Sequence, residues 1–146
     1  MKKKILLVLL TFILCGCNAT TTPTKTLKEK VNLSFFYIST CSECKAFKEK
    51  AIPYIEEKLH NQVTIEMYDL DEEKTEAVYD KVIDSLDNFD EEFYGKAPFL
   101  SVDGYFTLLG YTQGDEEYIV SDIEKAVNKE ELSYELEAYR FLYKES

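Results

Sequence analysis

The sequence predicts an α/β domain with a mixed central sheet and helices on both faces. Three observations lead there. Val31 to Ile38 is apolar almost throughout, too continuously for an exposed edge, and suits a central strand covered on both sides. After it, Phe47, Ala51, Ile55 and Leu59 recur at every fourth position, a helical stripe facing a sheet. Further on, a strand-like alternation (Val63, Ile65, Met67 against Thr64, Glu66, Tyr68) is followed by a hairpin signal at Asp103-Gly104. A right-handed crossover makes the first two strands parallel, and the hairpin adds antiparallel ones.

The chain begins with something else. Lys2-Lys3-Lys4 is a basic head, Ile5 to Leu14 is apolar apart from Thr11, and small residues close the segment. It is too short for a permanent membrane helix, which needs roughly 20 residues, and reads as a secretory signal peptide. Leu14-Cys15-Gly16-Cys17 resembles the bacterial lipobox, in which cleavage precedes a cysteine that is then acylated on its sulfur. The resemblance implies a lipoprotein signal peptide over residues 1–16 and a lipidated Cys17. It places the mature chain on the outer, extracytoplasmic face of a bacterial cell membrane. The competing reading is an ordinary secreted protein with a free Cys17. Residues 17–29, with Thr20-Thr21-Thr22-Pro23-Thr24 and no apolar period, are expected to form a flexible tether.

Four cysteines lose one to the signal and one to lipid, which leaves Cys41 and Cys44. No second pair remains for a structural staple or a four-ligand zinc site. His60, the single histidine, falls at the end of the first helix and not beside the thiols. No metal is expected. Without the three leader lysines the chain has 14 basic against 28 acidic residues, a formal charge of −14. Such a surface repels nucleic acid and anionic headgroups, so attachment to the membrane falls to the lipid. Acidity also serves solubility alone.

Thr40-Cys41-Ser42-Glu43-Cys44-Lys45 lies where the first strand gives way to the first helix. Thiols three residues apart at a helix start can close a small disulfide ring, and the unpaired N–H groups there stabilise a thiolate on the first. A structural disulfide or half a metal site are the alternatives; the strand-then-helix placement favours redox chemistry. Pro53 should kink the helix, because it lacks an N–H and clashes with the preceding turn.

Asp69, Asp71, Glu72 and Glu73 lack the glycine and ligand spacing of a calcium loop and suit the approach to a second helix, about Glu72 to Leu86. Val78, Val82, Leu86 and Phe89 mark one side of that helix. An acidic, aromatic loop then leads to Ala97-Pro98 and the strand Phe99 to Val102. The hairpin returns over Tyr105 to Leu109, and Gly110 to Gly114 turns the chain again. Thr112 and Asp115 weakly resemble a capping box before a last helix with Ile119, Ile123, Ala126 and Val127 inward. Leu132, Leu136, Tyr139 and Tyr143 predict an amphipathic C-terminal helical extension over 130–146, covering a core face or docking a partner.

Strand, helix, strand, helix, proline, hairpin and helix, with Cys41-Ser42-Glu43-Cys44 at the first junction, resemble the thioredoxin-like fold family over residues 30–129. The resemblance implies that Cys41 and Cys44 are catalytic. It also implies a cis bond before Pro98, with Ala97 and Pro98 beside the disulfide positioning a partner backbone. Gly110 also fits the family pattern. The chain departs from thioredoxin itself. Ser42-Glu43 replaces Gly-Pro, Thr40 replaces Trp, and Phe35 stands where a buried acid is usual. The whole resembles extracytoplasmic thioredoxin-like lipoproteins, including bacteriocin transport accessory proteins.

The expected activity is thiol–disulfide exchange with thiols or disulfides of exported proteins or peptides, with no cofactor beyond the Cys41–Cys44 disulfide. Glu43 disfavours a thiolate, and Lys45 and Lys48 partly offset it; the balance leans to a disulfide reductase or isomerase over an oxidase. A reductant outside the cell needs a membrane thiol relay as electron donor. The alternative is a non-enzymatic accessory that binds an exported peptide such as a bacteriocin.

Overall fold

The computed structural model describes residues Thr26 to Glu145. The expected signal peptide, Cys17 and most of the tether lie outside the described residues.

A five-stranded sheet in the order β2-β1-β3-β4-β5 organises the chain. β1 (Val31–Tyr37) pairs in parallel with β2 (Val63–Asp69), Val31 opposite Val63 and Tyr37 opposite Asp69. β3 (Phe99–Val102) lies antiparallel to β1, and β4 (Phe106–Leu109) and β5 (Tyr139–Leu142) follow antiparallel. The sheet is mixed, as expected. Gly104 turns the β3–β4 hairpin with φ +83°, a conformation that glycine adopts without steric cost.

Strand alternation divides the apolar residues between two cores. Leu33, Phe35, Leu100, Val102, Phe106 and Leu108 face the helical run after β1 and the last helix, α4 (Glu116–Asn128). All four stripe residues, Phe47, Ala51, Ile55 and Leu59, are buried there, as are Ile119 and Ile123 of α4. Phe36, Phe99 and Leu109 point to the opposite side, against Tyr79 and Val82 of α3 (Glu73–Asp84). Helices therefore pack on both faces. Leu86 is buried as expected, but past the end of α3, bridged to Tyr143.

The first helical run comprises α1 (Ser42–Ala46), a π turn (Phe47–Ala51) and α2 (Ile52–Leu59). Pro53 explains the middle piece. It offers no N–H and would crowd the carbonyl four residues back, so the preceding turn widens and the Ile52 N–H reaches Phe47 O instead. His60 caps the run with φ 47°. β2, at the sheet edge, leaves Met67 57% exposed despite the alternation of its sequence. Thr112 does not cap α4; Asp115 stands at the cap position without a side-chain hydrogen bond.

Two expectations are corrected. Of the helix expected over 130–146, the described residues 130–145 form none: 130–138 are irregular and Tyr139–Leu142 form β5 on the free edge of β4. All four β4 residues are buried, so that edge needed covering. Tyr139, Phe141 and Tyr143 alternate as in a strand, while Leu132 and Leu136 cover the first core from the irregular stretch. The second correction concerns the tether, which ends before residue 29. Leu27 is buried in the first core, its N–H donates to Gln62 Oε1 at 2.6 Å, and Tyr105 Oη donates to Glu29. An apolar side chain beside the start of β1 is more stable in the core than in water.

Candidate functional site

The site lies at the end of the sheet where β1 finishes and β3 begins. A turn closed by Cys41 N–H to Ile38 O (3.1 Å) ends β1 and delivers Cys41 as the N-cap of α1. Cys41 and Cys44 form a disulfide with Cα atoms 5.2 Å apart. The Cys44 N–H donates to Cys41 Sγ at 3.0 Å. A sulfur in the cap position accepts one of the helix's unpaired N–H groups, an interaction that strengthens when the sulfur carries charge.

The two sulfurs differ in access. Cys41 is half-buried, whereas Cys44 has no exposed surface. The core cluster that holds Cys44 includes Phe35 and Phe47, whose rings stack with centroids 4.4 Å apart and planes 12° apart. Tyr111 meets Phe47 edge-on at 5.1 Å and donates through Oη to Glu116. Burial, and then that hydrogen bond, push the Tyr111 hydroxyl well above its ordinary range. The base of the site is apolar, with Phe35 where an acid could have stood.

Ala97 and Pro98 arrive from the start of β3, joined by a cis bond. Pro98 is buried, and the Ala97 carbonyl lies 3.8 Å from Cys41 Sγ. The structure therefore brings Cys41, Cys44, Ala97 and Pro98 together. Glu43 and Lys45 are exposed, and Lys45 turns along the helix to Glu49 at 3.9 Å. Lys48 is the cation that folds inward, its ammonium 3.9 Å from the centroid of the Tyr37 ring.

Sequence reasoning missed two further parts. Ser39 Oγ donates to Asp69 Oδ2 at 2.6 Å, tying the loop before Cys41 to the end of β2. That bond, and the Asp71 N–H, hold the Asp69 carboxyl below its ordinary range. The acidic stretch thus supplies a structural acceptor. Register is the signal that could have found it, since parallel pairing sets Tyr37 opposite Asp69. The other missed part is Tyr139 of β5, which stands against Phe93 at 4.6 Å, beside the Ala97 segment.

Among the described residues there is no group of three or more His, Cys, Asp or Glu side chains placed to hold a metal ion. Among the same residues no helix is long and apolar enough to cross a membrane. What the arrangement can do chemically is exchange disulfides: one accessible sulfur, one shielded sulfur, and a backbone carbonyl alongside. Comparison with protein-family models, curated proteins and solved structures finds no match for this chain.

Proposed function

We propose that this chain is a lipid-anchored, extracytoplasmic thiol–disulfide oxidoreductase of the thioredoxin-like type, acting on exported proteins. The observation that carries the reading is the unequal access of Cys41 and Cys44 at a helix start, with the Ala97 carbonyl 3.8 Å from Cys41 Sγ. Mixed sheet, helices on both faces and a cis Ala97–Pro98 beside the disulfide support the fold assignment. Phe35 in place of an acid, and the added β5, are departures from it.

In the reduced state Cys41 thiolate attacks a partner disulfide and expels one partner thiolate, which takes up a proton. Cys44, after losing its proton, attacks Cys41 Sγ, releases the second partner thiol and closes the Cys41–Cys44 disulfide. The reverse sequence oxidises a dithiol. Lys45 is drawn to Glu49 and Lys48 lies over the Tyr37 ring, so thiolate stabilisation rests on the helix start, where the Cys44 N–H donates to Cys41 Sγ, with the acidic Glu43 next to Cys44 in sequence opposing it. That balance favours reduction or isomerisation, with a membrane thiol relay as electron source.

The deciding test is capture of partners. In the secreting cell Cys44→Ser accumulates disulfide-linked adducts through Cys41, and Cys41→Ser accumulates none. Absence of adducts, with the Cys41→Ser, Cys44→Ser double variant retaining biological function, would leave the peptide-binding accessory as the better reading.

A further inference from the structure

The end of the molecule that bears the disulfide has two depressions, one on each side of the Gly95–Ala97 segment entering β3. Towards β4 and β5 lies a pocket of about 240 Å³ walled by Phe93, Lys96, Ala97, Leu109, Gly110 and Tyr139. Ligand cavities for whole small molecules run to roughly 300–1,000 Å³, so this one has the scale of a single large side chain. Its ring surfaces come from the loop before β3 and from β5, with Tyr139 60% exposed and 4.6 Å from Phe93. Ala97 is both a wall of this pocket and the neighbour of Cys41 Sγ. The pocket therefore shares one wall residue with the redox site. β5 lies outside the region that resembles thioredoxin, so the Tyr139 wall is this chain's own.

Towards β1 and β2 lies a trough of about 420 Å³, with Tyr79 and Tyr94 on one side. Asp71, Glu72, Glu73 and Glu76 line it, and Lys74 pairs with Glu72 at 2.8 Å. Ile38 and Leu70 line it too, so it is the four carboxylates that set the trough apart from the pocket, whose one charged wall residue is the cation Lys96, over Phe93.

We propose that the partner is an exported polypeptide that presents its cysteine in an extended segment. A large apolar side chain two residues from that cysteine fills the Tyr139 pocket, and a basic residue two residues to the other side lies over the acidic trough. This assignment rests on the exchange reading above. In an extended segment, side chains two residues on either side of the cysteine share its face, each about 7 Å from it and about 14 Å from the other, the spacing that the two contacts require. Binding is selective through charge: the carboxylates of the trough attract a basic side chain and repel an acidic one, while Lys96 at the rim of the pocket repels a second ammonium.

The test uses the full chain with Cys15, Cys17 and Cys44 replaced by serine, so that Cys41 is the only thiol. Its substrates are short peptides whose single cysteine is capped by 5-thio-2-nitrobenzoate. Attack by Cys41 thiolate forms the Cys41–peptide disulfide and expels the coloured thiolate, which is read directly. Peptides carry Phe or Ala two residues to one side of the cysteine and Lys or Glu two residues to the other, in both orders. The Phe/Lys peptide of one order is expected to react about tenfold faster than its Phe→Ala counterpart, a part of the worth of a buried aromatic side chain. Adding Tyr139→Ala brings that ratio to about one, and adding Glu73→Gln with Glu76→Gln flattens the Lys preference, which also weakens with salt. Equal rates for all peptides leave disulfide exchange standing and overturn this assignment, as does a Phe preference that survives Tyr139→Ala. No release from any peptide, by a chain folded on circular dichroism, removes the exchange reading and this one with it.

Discussion

Arg140 donates through Nη2 to Oδ2 of Asp122 at 2.5 Å, and Asp122 has no exposed surface. The same carboxylate accepts the Ser133 N–H at 2.9 Å and the Ser133 hydroxyl at 3.0 Å, while Arg140 Nη1 donates to Ser133 O at 2.7 Å. Three separate pieces of chain, α4, the irregular stretch after it and β5, are joined at one buried carboxylate. Removing it with Asp122→Ala leaves a largely buried guanidinium without its counter-charge, and is expected to cost about 3–5 kcal/mol. Urea unfolding followed by circular dichroism measures the loss; a cost below about 1 kcal/mol would show that Arg140 finds water instead.

Phe35 and Phe47 form the dry floor beneath Cys44. Phe35→Ala removes a fully buried ring from the middle of the sheet and is expected to cost about 3–5 kcal/mol. The same denaturant titration measures it, and an unchanged midpoint would contradict the packing described.

Leu27 gives a test of where the domain begins. Leu27→Ala exposes a core position otherwise 7% accessible and is expected to cost about 2–3 kcal/mol. Thr26→Ala beside it, at an exposed position, is expected to leave the unfolding midpoint unchanged. Equal midpoints for the two variants would return Leu27 to the tether.

Asp103 accepts Ser101 Oγ at 2.6 Å and Ser34 Oγ at 3.2 Å, and burial holds its carboxyl above the ordinary value despite both bonds. With the folded value raised, the native state binds a proton that the unfolded chain has already released. Stability from this group is complete below the ordinary carboxylate pKa of about 3.9 and is lost as pH rises through the raised value. The parent chain therefore loses stability relative to Asp103→Asn on going upward from about pH 4. Parallel unfolding midpoints for the two chains across that window would contradict the raised value.

Reduction potential tests the direction of transfer. With Lys45 turned to Glu49 and the acidic Glu43 between the two cysteines in sequence, the Cys41–Cys44 pair is expected near about −270 mV in thiol–disulfide buffers. A value near about −120 mV would make the chain an oxidant and show that the helix start outweighs Glu43.

Much of this architecture was legible because single-residue periodicities survive into the structure. The continuous apolar run at Val31 to Ile38 became the central strand β1, and the spacing of four from Phe47 to Leu59 became one buried stripe. Proline and glycine punctuation located β3 and the hairpin. At the site, the sequence revealed both sulfurs and the Ala97-Pro98 segment. It hid what depends on contacts between distant elements. Leu132 and Leu136 keep a helical spacing, yet Ser133 is held by Asp122 and the aromatic alternation from Tyr139 to Tyr143 completes a sheet edge. The Ser39–Asp69 bond and the Tyr139–Phe93 wall depend on strand register and order, which no local pattern encodes.

The course of β1 has a practical consequence for handling the molecule. The chain enters at Leu27 and Val31, and six residues after Val31 β1 ends at the approach to the disulfide, about 20 Å away at 3.3 Å per residue. β5 runs the other way, with Leu142 opposite Phe106 and Tyr139 opposite Leu109, so the last residues return to the entry end. The first and last described residues thus lie on the side remote from the sulfurs. A fluorophore, an affinity handle or a second protein can be fused after β5, or the molecule immobilised on a bead through that end, with the reactive face left uncovered.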